Sequence, residues 1–158
     1  MPSYNYSTNN GSTNNSSING TSIRQTGNVQ LDLELIDKEI AAAYIAIFAY
    51  IVLLFSAHED KQIIYNRLKG TEPNNAVSPN RLVALSNSLV LIAYIIFGNV
   101  ADRRYAEIVE SEAIVDTPLT PTPNLNISKG YNIAIIGCIF KVLGAMQRVN
   151  EEDIITLD

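Results

Sequence analysis

A chain of 158 residues has the length of one domain, but its 17% charged content is below the roughly 25% usual in soluble domains, while 47% of it is hydrophobic. The net charge of −5 and the lack of a basic stripe argue against nucleic-acid binding. One cysteine, Cys138, excludes an intrachain disulfide and a thiolate metal centre, and with His58 the lone histidine, no catalytic residue, cofactor or metal ligand is expected. Asn and Ile are frequent, a usage common in chains encoded by AT-rich genomes, including some bacteria and large DNA viruses.

Residues 1–28 are Asn/Ser/Thr-rich and almost free of apolar side chains, so burial cannot offset their ordering entropy and a disordered tail is expected. The tail has neither the basic start nor the apolar centre of a secretory signal. Asn-x-Ser/Thr triplets occur at Asn5, Asn10, Asn14, Asn15, Asn19 and Asn126. They would be glycan acceptors in a secretory setting, but a tail of this composition generates them by chance, and chance is the favoured reading.

Between Asn28 and Ile40 two periods compete. Val29, Leu31, Leu33 and Leu35 alternate as in a strand, whereas Leu33, Ile36 and Ile40 share a helical face, with acidic residues suited to a helix start. An irregular lead that becomes helix near Asp32 to Asp37 is favoured. The block 40–57 then carries no charge and is apolar all round, which marks a buried or lipid-embedded helix long enough to span a bilayer. Ala42, Ala46 and Ala49 form a small ridge suited to close helix approach, opposite Tyr44, Ile47, Phe48, Ile51 and Phe55. The helix is predicted to continue to about Lys69, before Gly70. His58, Glu59 and Asp60 are consecutive and so do not share a helix face; they read as a solvated helix end.

Ser78–Pro79 predicts the next helix start, serine capping and proline at the first helical position. The block 82–101 is uncharged but more polar. Asn80, Ala84, Asn87, Leu91, Tyr94 and Gly98 share one side, the expected contact with neighbours. Asp102, Arg103 and Arg104 read as an interfacial anchor, and Glu107, Glu110 and Glu112 as a solvated side. Pro118, Pro121 and Pro123 predict an extended linker, read as a spacer in preference to a polyproline ligand.

Ser128 is the expected cap of a third, shorter helix containing the apolar block 131–146. Gly130, Ala134, Gly137, Cys138, Lys141, Ala145 and Arg148 form its small, basic side, and Ile133, Ile136, Ile139, Phe140, Leu143 and Met146 its bulky side. Insertion of this block is worth on the order of −3 to −4 kcal/mol, and a lysine at the bilayer centre costs roughly 2.5–3.5 kcal/mol. Lys141 lies toward the C-terminal end of the run, so it is expected to extend its stem to the headgroups. In lipid the small side would pack on the first two helices; in water the bulky side would be the core. Residues 149–158 are expected to be an acidic, fraying tail.

The expectation is an all-α transmembrane helical bundle over 29–148, with two long antiparallel helices and a shorter third. Its predicted partners are the lipid bilayer and other membrane helices, in a homo- or hetero-oligomer, and not nucleic acid. Basic residues divide evenly between the two sides; the compact basic first loop favours an outside N-terminus and an inside C-terminus. The leading functional expectation is a structural or assembly role rather than an enzyme, with helix packing through Ala42, Ala46, Ala49, Asn87, Gly98, Gly130, Ala134, Gly137 and Cys138, and a virion membrane as one setting. Its rivals are a pore or holin-like protein with Lys141, Asn87 and Asn99 facing a polar path, and a soluble adaptor that buries the apolar blocks against a partner.

Overall fold

The computed structural model describes residues 28–71, 77–112 and 121–155. Residues 1–27 of the predicted tail, with its five sequons, and Pro118 lie outside the described residues. The chain is all-α: α1 runs Val29–Leu68, α2 Pro79–Glu112 and α3 Thr122–Ile155.

Each helix end has a local cause. Asn28 caps α1, its side-chain oxygen accepting the Leu31 N–H at 3.2 Å, so the helix begins at once and the strand-like alternation of Val29 to Leu35 is absorbed into it. At the far end the Gly70 N–H donates to the Arg67 carbonyl and the Thr71 N–H to the Asn66 carbonyl. This is a Schellman stop, and it needs the positive φ of 67° that glycine adopts without strain. At the start of α2, Ser78 Oγ accepts the Arg81 N–H at 3.4 Å, with Pro79 as the first helical residue.

The third helix departs from expectation at both ends. It has 34 residues, as many as α2, so it is not a shorter third. It begins six residues before Ser128, because Pro123 falls in the first turn, where its missing N–H costs no helical bond; Leu125 N–H reaches the Pro121 carbonyl at 3.0 Å. Ser128 is therefore a mid-helix residue and not a cap. The acidic stretch expected to fray from 149 onward is helical through Ile155.

The helices alternate in direction, and α2 packs against both neighbours. Two rows on α2 do this: Ser86, Ala93 and Val100 on one side, Asn87, Tyr94 and Ala101 on the other. They are offset by one residue, hence about 100° apart around the helix. The two outer helices consequently flank α2, and among the described residues no Cα of α1 lies within 8 Å of a Cα of α3. The backbone packing of α3 is thus against α2. Ala49, Val90 and Cys138 form the small core where the three helices converge.

Burial is inverted relative to a water-soluble bundle. On α1 the fully buried positions recur every seven residues as Leu35, Ala42, Ala49 and Ser56, all at 0% exposure. The large side chains Tyr44, Ile47, Phe48, Ile51, Leu54 and Phe55 are more than half exposed. On α3, Cys138 and Ala145 are buried while Ile133, Ile136, Phe140 and Leu143 are exposed. All three helices are long and apolar enough to cross a membrane.

Candidate functional site: small-residue seams between two polar clasps

The α1–α2 seam is built from serine rungs one heptad apart. Ser56 Oγ donates to the Pro79 carbonyl at 2.9 Å, and Ser86 Oγ donates to the Ala49 carbonyl at 2.8 Å. Both hydroxyls belong to fully buried residues. A serine that reaches a neighbouring backbone needs small residues around it, and the alanines supply that closeness. The same seven-residue step carries the register on to Ala42 with Ala93 and Leu35 with Val100, each buried to 1% or less. Of the predicted ridge, Ala42 and Ala49 lie in this seam and Ala46 is half-buried beside it.

The α2–α3 seam uses the predicted side of α2. Ala84 and Asn87 are buried, and Gly98 is buried against α3. A Cβ on Gly98 would lie 3.2 Å from Ile135 Cδ1 and 3.6 Å from Tyr131 Cβ, so this glycine sets the approach of the two helices. Tyr131 stacks on Phe97 with centroids 5.5 Å apart. From α3, Cys138 is buried and Ala134 half-buried. Gly130 and Gly137 are exposed, and a Cβ on either would meet nothing within 4 Å.

A polar clasp closes each end of the apolar zone. At one end Arg104 is 6% exposed and donates from both terminal nitrogens to the two Glu39 oxygens at 2.7 and 2.9 Å, while its buried Nε has no partner. Arg103 lies 3.9 Å from Glu34, and Ser128 hydrogen-bonds Asp102 across to α3. Lys38 also pairs with Glu34, and its hydrogen bond and charge hold that carboxyl below the usual range. At the other end Glu152 accepts from Ser78 at 2.6 Å and Asn80 at 3.1 Å, and Arg81 pairs with Asp153 at 2.8 Å. Arg81 and Asp102 are 21 residues apart on α2, about 32 Å along the axis, close to the ~30 Å hydrocarbon thickness of a bilayer.

None of these clasps was predicted as a contact. Arg104 read as an anchor by itself, and residues 149–158 as a loose tail. The available signal was charge placement: opposite charges flank apolar blocks on different helices, but only the register pairs them.

The same register moves Lys141. Along α3 it is about 20 Å from Ser128 and about 16 Å from Glu152. It therefore lies near the middle of the stretch between the two clasps, although it stands toward the C-terminal end of the apolar run 131–146. The reason is that α3 continues well past Met146 to its clasp with α2. Even Gln147 and Arg148 are about 9–10 Å further along. Side chains on a helix lean toward its N-terminus, so the lysine stem starts away from its nearer end. Lys141 is exposed. Asn99 is exposed and donates to the Ile95 carbonyl of its own helix at 2.9 Å. Asn87 lies about 120° from Asn99 around α2, so the three predicted intramembrane polar residues do not converge on one path within the chain.

No protein-family model, no curated protein sequence and no solved structure matches the chain.

Proposed function

We propose that the chain is a multi-pass integral membrane protein with a structural or assembly role, exercised through helix packing rather than catalysis. The supporting observation is the inverted burial: alanine, serine and glycine lie between the helices while isoleucine, phenylalanine and leucine cover the outside. A monomer in water rarely exposes apolar patches beyond a few hundred Å², whereas helices in lipid associate through small residues and interhelical hydrogen bonds. The spacing of the two clasps matches a bilayer as well. The α1 N-terminus, α2 C-terminus and α3 N-terminus lie on one side, outside in the orientation favoured by the basic first loop. The pore reading has less support, because Lys141, Asn87 and Asn99 do not line a common path.

Alkaline carbonate extraction of the full chain tests the proposal. The chain is expected to remain in the membrane pellet, and its release to the supernatant overturns the membrane reading in favour of a soluble adaptor.

A further inference from the structure

We infer that the face of α3 bearing Lys141 docks a partner transmembrane helix that carries a carboxylate at mid-membrane depth. This rests on the membrane reading above. Lys141 flanks the α2 seam, three residues after buried Cys138 and four before buried Ala145, yet it is exposed. Among the described residues it has no hydrogen-bond or ion-pair partner. Along the α3 axis it stands about 16 Å from Glu152 and about 10 Å from Arg148, midway between the two clasps and deep in the apolar zone of the membrane reading. The apolar blocks 40–57 and 82–101 are uncharged and 131–146 holds no acid, so the chain supplies no counter-charge at that depth.

The surroundings of Lys141 suit a helix. Gly130, Ala134, Gly137, Lys141, Gly144 and Arg148 are spaced 4-3-4-3-4, the heptad alternation of a helix-packing seam. A Cβ at Gly130, Gly137 or Gly144 would meet nothing within 4 Å, so this second seam is unfilled in the chain itself. Small residues on both sides of the lysine let another backbone approach closely enough to pair with it. A second copy is a poor occupant, because a symmetric dimer through this face brings Lys141 toward its own equivalent at mid-depth. Charge complementarity selects instead a different helix with one Asp or Glu near its centre and side chains large enough to fill the glycine notches.

The test uses the full chain, fluorescently labelled and reconstituted in phosphatidylcholine vesicles. The probe is a leucine-rich transmembrane peptide of about 21 residues with a single central Glu, compared with peptides carrying Gln or Leu there. Energy transfer is expected to show the Glu peptide binding at least about tenfold more tightly than the Leu peptide. Lys141→Leu is expected to abolish that preference and Lys141→Arg to retain it. Gly137→Leu is expected to weaken binding with the lysine still present. Equal binding of Glu and Leu peptides to the unaltered chain, or an undiminished preference in Lys141→Leu, overturns the inference. Carbonate extraction of the same vesicles separates the two proposals: release overturns both, whereas retention without a Glu preference overturns this one alone.

Discussion

The Glu39–Arg104 clasp offers the sharpest test of how α1 and α2 are held. Glu39→Ala removes the acceptor of two short bonds, 2.7 and 2.9 Å, from a guanidinium only 7% exposed. Removing one partner of a buried pair costs about 3–5 kcal/mol because the remaining charge stays buried, whereas exposed pairs contribute about 0–1 kcal/mol. The Glu39 side chain is 24% exposed, which lets water reach it and places the expected loss near the lower end, about 3 kcal/mol. The Arg104 Nε is already without a partner, so the uncompensated guanidinium has little local relief. Replacing both residues, as in Glu39→Leu with Arg104→Met, removes the charge with its partner and is expected to recover most of that loss. The assay is reversible unfolding in mild detergent micelles, read by helicity and analysed as a double-mutant cycle. A loss below about 1 kcal/mol for Glu39→Ala refutes the clasp as a buried interaction, since that is the range of a solvated pair. A double variant no more stable than Glu39→Ala refutes the claim that the stranded arginine is the cause.

Four further outcomes concern the seams and the clasps. Gly98→Leu is expected to lose about 1–3 kcal/mol by forcing α2 from α3, whereas Gly98→Ala stays within about 1 kcal/mol, because the Ile135 methyl can move and alanine favours helix; differential scanning in detergent measures both. Ser86→Ala is expected to cost about 0.5–1.5 kcal/mol through its bond to the Ala49 carbonyl, by the same unfolding assay, while Ser88→Ala, whose bond stays within α2, costs less. Truncation after Arg148 removes Glu152 and Asp153 from Ser78, Asn80 and Arg81, and is expected to lower the thermal midpoint and speed hydrogen exchange at the start of α2. Because Lys38 lowers the Glu34 pKa, that pair contributes stability above the ordinary carboxylate range and loses it as pH falls through the lowered value. The pair is solvated, so Glu34→Gln is expected to remove only a small acid-side slope in midpoint against pH.

The sequence by itself determined the class and most boundaries, because those depend on local chemistry. Uncharged blocks of bilayer length, the Ser78–Pro79 start and the Gly70 stop act within one turn of chain, and the helices obey them. The small side of α1 was legible at Ala42 and Ala49 for the same reason: a helix face is a property of spacing. Where the sequence misled, a local rule met a second helix. Ser128 is a sound cap by its chemistry, but Asp102 of α2 takes its hydroxyl, and Pro123 is harmless in a first turn. Residues 149–155 look loose in isolation and are held by Ser78, Asn80 and Arg81, more than 70 residues earlier.

Only the tertiary structure decided the register between helices, and with it the meaning of each charge. Position is measured against neighbours and not along the chain, so Lys141, toward the C-terminal end of its apolar run, falls midway between the two clasps once Glu152 and Ser128 fix α3 against α2. The tertiary structure also decided that α2 is the central helix, with α1 and α3 meeting only around the small Ala49–Val90–Cys138 core. The two contact rows on α2, one residue apart, are each visible in the sequence, but which neighbour fills which row depends on interhelical contacts that no single helix specifies.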